Sequence, residues 1–209
     1  PTTQPNNGKQ GCQVLRILLV LGQHLITSVA LRNRNQLAAN NMSPLWMSKK
    51  QSELYHEKFP FLKDANQTIL SSIFSVEDLE YIERLRTLRE KNGWSKNHWG
   101  VIDGNSWIKG VSQSCETVTS AFPESTVEVL SGLPYYDLLK KLSEFHGLSF
   151  QPLGGDTCPR TVIEAKLLGL ELLLNENVQH SSEEWFNKSR DEIEDYLLTL
   201  TKDNLNTYM

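Results

Sequence analysis

Between His98 and Asn175 four short apolar runs recur with an amphipathic stretch after each of the first three: HWGVID at 98–103, VEVLS at 127–131, LSFQPL at 148–153 and ELLLN at 171–175. Each run is apolar enough to be covered on both faces, as strands inside a parallel sheet are. The stretches between them, 109–121, 134–146 and 159–168, read as helices. Strand, helix and strand in succession close as right-handed crossovers, so the pattern predicts an α/β fold with a parallel sheet flanked by helices.

The flanks extend this plan. PLWMS at 44–48 is followed by a helix from Lys49 to about Phe59, and TILSSIF at 68–74 reads as extended chain. Ser75 precedes VEDLEYIERLRTLREKN, with acids early, bases late and Gly93 past the end, which are the start and stop signals of a helix. A last helix from about Ser182 to Leu200 puts Trp185, Ile193, Tyr196, Leu197 and Leu200 on an inner face. Residues 43–209 are thus read as one domain ending in a helix. Residues 1–42 are read as a polar tail plus an unassigned apolar segment. PTTQPNNGKQG at 1–11 has no large apolar group to offset its ordering entropy. RILLVLG at 16–22 suits a buried strand and the chain on to Ala39 suits a helix, and periodicity does not separate the two in so short a run.

Charge and motif content exclude several classes. A net charge of -4 argues against a binder of nucleic-acid backbones, which needs clustered Lys and Arg. Cys12, Cys115 and Cys158 are odd in number and far apart, so they write neither a disulfide framework nor a C-x-x-C site, and the reading is cytoplasmic. The one membrane-like stretch, Val14 to Leu31, is interrupted by Arg16, Gln23 and His24 and is not read as a transmembrane segment. Arg16 also spoils the signal-peptide pattern that Lys9 and LAAN at 37–40 imitate. His24, His56, His98, His146 and His180 form no H-x-x-x-H pair, so no metal site is expected. A G-x-S-x-G elbow, a Walker lysine loop and a G-x-G-x-x-G turn are all missing from the sequence.

The stretch richest in chemistry is PLGGDTCPRTVIEAKLLG, from Pro152 to Gly169. It starts where a strand ends, passes two glycines and enters a helix whose first turn tolerates Pro159. Such a turn presents free backbone N–H groups and the positive end of a helix at the carboxyl edge of the sheet, where phosphates bind. The plainer alternatives are that Asp156 or Thr157 caps the helix, and that Arg160 and Glu164, four apart, form a surface ion pair.

These residues resemble the signature of the retaining B-type glycosyltransferases, in which an acid is followed after seven residues by a Glu on the donor-side helix. The resemblance covers roughly Ser43 to Trp185 and implies one Rossmann-like half of the B-type fold. It also implies roles: Glu164 on the ribose, Asp156 on the donor sugar, and the backbone of Gly154, Gly155, Thr157 and Cys158 on the diphosphate, with Arg160 alongside. The family usually carries Glu where Asp156 stands. Upstream, IKG at 108–110 is similar to the family's Lys-Gly pair, which implies that Lys109 reaches the donor phosphates and stabilises the leaving diphosphate. Gly104 and Asn105 stand near the place where many members have an Arg. SGLPYYDLL at 131–139 resembles the turn that frames the nucleobase, which implicates Leu133 and Pro134.

The implied function is transfer of a sugar from a nucleoside diphosphate sugar, with retention and without a metal or other cofactor. B-type enzymes place the acceptor on a separate N-terminal domain, for which a typical size is roughly 100 to 150 residues. Some forty residues precede this domain, so the expectation is donor binding that is incomplete without an acceptor-domain partner, or a homodimer. Two rivals follow from the same residues: a non-enzymatic interaction module with residual nucleotide affinity, and another nucleotide-binding α/β enzyme in which Trp94, Trp99 and Trp107 line a ligand face.

Overall fold

A computed structural model describes residues 44–63, 67–69, 71–104 and 106–208 of the 209-residue chain, so the readings made for residues 1–42 lie outside the described residues. Pro44–Met209 forms one compact unit. In chain order its elements are β1 (Leu45–Trp46), α1 (Lys49–Lys58), β2 (Thr68–Ile69), α2 (Val76–Asn92), β3 (His98–Ile102), α3 (Val111–Ala121), β4 (Thr126–Leu130), α4 (Tyr135–Leu142), β5 (Gly147–Phe150), α5 (Arg160–Leu167), β6 (Glu171–Leu174) and α6 (Arg190–Tyr208).

The main sheet has four strands in the order β4-β3-β5-β6, and every pairing is parallel. From β3 the chain moves outward to β4, crosses back to β5 and continues to β6. Right-handed crossovers send α3 to one face and α4 and α5 to the other, because the direction of travel reverses. Accordingly α3 packs on the strands, while α2, α4 and α5 pack against one another. The result is an α/β domain with parallel sheets flanked by helices, consistent with a Rossmann-like fold. β1 and β2 form a second, two-stranded parallel pair.

Burial follows position in the sheet. All four residues of β5 are buried, whereas β4 and β6, at the edges, leave most of theirs half-buried or exposed. The expectation that all four strands are covered on both faces is therefore corrected: it holds for the inner strands, and the edge strands lack a neighbour on one side. Trp99 of β3 is fully buried and stacks on Phe122 at 5.0 Å between ring centroids. Its indole fills the space beside Gly147, where a Cβ would lie 2.4 Å from the ring.

The helices begin and end where local chemistry places them. Ser75 accepts from the Asp78 amide while the Asp78 carboxylate accepts from the Ser75 amide, a reciprocal cap on α2 worth about 1 kcal/mol. Four sequence-based boundaries are shifted. The stretch read as a helix from 109 is broken by Gly110, whose φ of 62° is left-handed, so a short 3-10 turn at Trp107–Lys109 precedes α3. The helix expected over 134–146 stops at Leu142, and the turn that follows carries Phe145 into the core. Among the described residues, TILSSIF pairs only at Thr68 and Ile69. The last helix starts at Arg190 rather than Ser182, after two 3-10 turns that bury Trp185 and Phe186.

Candidate functional site

The order β4-β3-β5-β6 puts the reversal of direction between β3 and β5, and the carboxyl ends of strands at such a switch point are where open α/β sheets bind ligands. Two loops lie there: Asp103–Gly110 after β3 and Gln151–Pro159 after β5. Hydrogen bonds stitch them together. Ser114 Oγ donates to the Gly110 carbonyl at 2.9 Å and accepts from the Gln151 amide at 2.9 Å, and the Leu153 amide donates to the Ile108 carbonyl at 2.8 Å. A Cβ on Gly110 would lie 1.9 Å from the Gln151 carbonyl oxygen, so this position needs glycine for space as well as for its left-handed backbone.

Across this seam Lys109 Nζ donates to Asp156 Oδ2 at 2.7 Å, with the two side chains 32% and 16% exposed. The ammonium also lies 5.3 Å from the centre of the Phe150 ring. Asp156 is held by its own backbone: its amide donates to the Asn177 carbonyl at 2.8 Å and its carbonyl accepts from the Gln179 amide at 3.0 Å. Asn175 and Asn177 both donate side-chain hydrogens to the Pro152 carbonyl, at 3.0 and 2.8 Å, fixing the start of the loop. Among the described residues, the amides of Gly154, Gly155, Thr157 and Cys158 donate to no protein acceptor. The N-cap of α5 is Pro159 with no side-chain cap, so neither Asp156 nor Thr157 caps the helix. The arrangement combines an ammonium, unused N–H groups and a helix N-terminus on one rim, a combination that attracts anions.

Arg160 and Glu164 build a second cluster on α5. Glu164 is only 1% exposed, and its Oε1 accepts from Arg160 Nε at 2.7 Å and from the Tyr135 hydroxyl at 2.9 Å. Arg160 also donates to Asp78 Oδ2 at 2.8 Å, to the Tyr135 hydroxyl at 2.9 Å and to the Ile73 carbonyl, with its guanidinium 4.3 Å above the Phe74 ring. The surface ion pair suggested by the spacing is thus buried on its acidic side. Burial pushes the Glu164 carboxyl above its ordinary value, opposed by the bonds from Arg160 and Tyr135. Burial also works against the Arg160 charge, but its bonds to Glu164, Tyr135 and Asp78 outweigh that and hold the guanidinium charged.

The remaining expected residues divide. Cys158 turns its Sγ to Ser71 Oγ at 3.1 Å and to Ser72 N and Oγ at 3.3 and 3.2 Å, and its carbonyl accepts from Ser72 Oγ at 3.4 Å, which leaves its amide unused among the described residues. Leu133 and Pro134 lie in the loop after β4, where Leu133 is exposed and Pro134 starts α4. Trp99 is core, while Trp107 is exposed. Spacing alone picks out none of Tyr135, Gln179 and His180, because each reaches its neighbours through the fold. His180 is fully buried between Trp185 and Phe186, at 5.8 and 4.9 Å between centroids, and neither ring nitrogen has a hydrogen-bond partner. Burial pulls its pKa down to about 4, outweighing an opposite pull from the Thr157 backbone, and so keeps it neutral.

The fold is a parallel α/β domain with Lys109, Asp156 and a loop of unused amides at its switch point. No family model, curated protein or solved structure matches the chain. Among the described residues no helix is long and apolar enough to cross a membrane, and no three His, Cys, Asp or Glu side chains group so as to hold a metal ion.

Proposed function

We propose that residues 44–209 act as the donor-binding half of a retaining B-type glycosyltransferase, taking a nucleoside diphosphate sugar at the rim between the loops after β3 and β5. The observation that carries this reading is the meeting of Lys109 with Asp156 beside four unused backbone amides. An ammonium already neutralised by one carboxylate exchanges it readily for a diphosphate, which carries more charge and more acceptor oxygens. That exchange frees the Asp156 carboxylate for hydroxyls of the donor sugar. As the bond from the anomeric carbon to the diphosphate oxygen breaks, its electron pair stays on the diphosphate, where Lys109 and the loop amides stabilise the charge. An acceptor hydroxyl oxygen takes the vacated position on the same face and gives its proton to the departing diphosphate oxygen. Glu164, which the resemblance assigns to the ribose, is 1% exposed with Oε1 bonded to Arg160 and Tyr135, so ribose contact requires that cluster to open toward the rim. Leu133 and Pro134 flank the base, and a second domain or partner chain supplies the acceptor surface.

Calorimetric titration with UDP-, GDP- and ADP-sugars tests the reading. One of the three is expected to bind, with Lys109→Ala weakening it about ten-fold or more, the loss of one charge-assisted contact. No heat with any of them overturns it. A second reading, a non-enzymatic interaction module, draws on the exposed apolar side chains of Trp107, Leu133 and Leu153 around the same rim.

A further inference from the structure

We infer that the side-chain amide of Gln179 is a further ligand contact of this rim and donates to an oxygen of the bound diphosphate, an assignment that rests on the donor-binding reading above. Gln179 is 7% exposed and follows the bridge that pairs Asp156 with Val178, so its backbone is fixed to the loop it would serve. Its Oε1 accepts from Ser48 Oγ at 2.8 Å, and that hydroxyl in turn accepts from the Gln51 amide at 3.0 Å. With the hydroxyl hydrogen aimed at Oε1, the amide nitrogen points the other way, toward Gly155, where a Cβ would lie 2.8 Å from Nε2. Among the described residues Nε2 donates to no acceptor. A polar residue this buried normally uses its donors, and a ligand acceptor in the loop would use this one.

The surroundings fix the chemical class of that acceptor. The loop through Gly155 carries the unused amides of Gly154, Gly155 and Thr157, its next residue Asp156 holds the Lys109 ammonium, and the Gln179 amide adds a further donor against Gly155. The Asp156 carboxylate holds the Lys109 ammonium until the diphosphate displaces it, as proposed above, and then faces the sugar. A run of donors along one loop suits an oxyanion better than a hydroxyl, which would also need somewhere to give its own hydrogen. Gly155 then has a steric reason: it leaves open the space between the amide nitrogen and the loop, and it does so without a left-handed backbone.

The test is calorimetry on the full chain with UDP, GDP, ADP and their sugar conjugates, comparing the natural sequence with Gln179→Glu, Gln179→Met and Gly155→Ala. Gln179→Glu keeps the acceptor for Ser48 and replaces the donor by a carboxylate that repels phosphate. Gln179→Met and Gly155→Ala remove or displace the donor without a new charge, so the measurement survives if the glutamate variant does not fold. All variants that keep a natural melting midpoint are expected to bind the preferred nucleoside diphosphate about ten-fold more weakly or worse. Unchanged affinity in the folded variants overturns this assignment and leaves donor binding standing. A loss seen only with the sugar-bearing donor places the amide on the sugar and overturns the diphosphate assignment. If the natural chain binds none of these nucleotides, the donor-binding reading falls and takes this one with it.

Discussion

The guanidinium of Arg160 ties three helices at one point, donating to Glu164 on α5, Asp78 on α2 and the Tyr135 hydroxyl at the start of α4. Removing it leaves Glu164 buried with one hydroxyl for company, and stripping one partner from a buried pair costs far more than the pair contributes as a whole. Arg160→Ala is expected to lower stability by about 3 kcal/mol in urea unfolding. Adding Glu164→Leu should recover part of the loss, because no uncompensated charge then remains. The sequence spacing already joins Arg160 to Glu164, one helical turn apart. It does not reveal Tyr135, which lies 29 positions from Glu164 and arrives only because α4 and α5 share a face of the sheet. The same is true of Lys109 and Asp156, 47 positions apart. Both were legible as chemical types next to a glycine turn, but their contact depends on β3 and β5 being neighbours.

At the scale of elements, local signals produced the readable parts. α2 carries its own cap, its charge gradient and its terminal glycine, so nothing distant was needed to place it. The start of α6 was misplaced because Trp185 lies on a helical stripe in sequence, while in the fold it belongs to a 3-10 turn pressed into the core beside His180. Gly110 is the element-scale position with the sharpest consequence. Gly110→Ala adds a methyl group against the Gln151 carbonyl and forces a left-handed backbone on alanine. A cost of about 2 kcal/mol or more is expected, read as a lowered thermal midpoint by circular dichroism. Because the strain falls between the two rim loops, the donor-binding proposal expects nucleotide affinity to fall beyond what the loss of stability explains, as measured at a temperature where the variant is fully folded.

For the whole molecule, the alternation of apolar runs foretold the class of sheet but not the order of its strands, since every right-handed α/β topology satisfies the same pattern. Strand order decides which loops meet, so the site's composition was readable and its geometry was not. Stability against acid is set by another feature that spacing does not show. His180 is neutral in the fold, with its pKa held near 4, and takes up a proton near its ordinary 6.5 when unfolded. Its contribution is therefore complete above about pH 6.5 and is lost as pH falls toward 4, on the order of 3 kcal/mol in all. Urea midpoints measured across that window should decline, and His180→Phe, which keeps the aromatic contacts with Trp185 and Phe186, should flatten the decline.

Because Ser114 clasps both rim loops and Gly110 rests on the Gln151 carbonyl, the loop that carries the ammonium is tied to the start of the loop that carries the glycine turn. A ligand cannot tug one without shifting the other. Rates of amide hydrogen exchange at Lys109 and at Gly155 should thus slow in step as nucleotide is added, with a shared midpoint, as two readings of one rigid part.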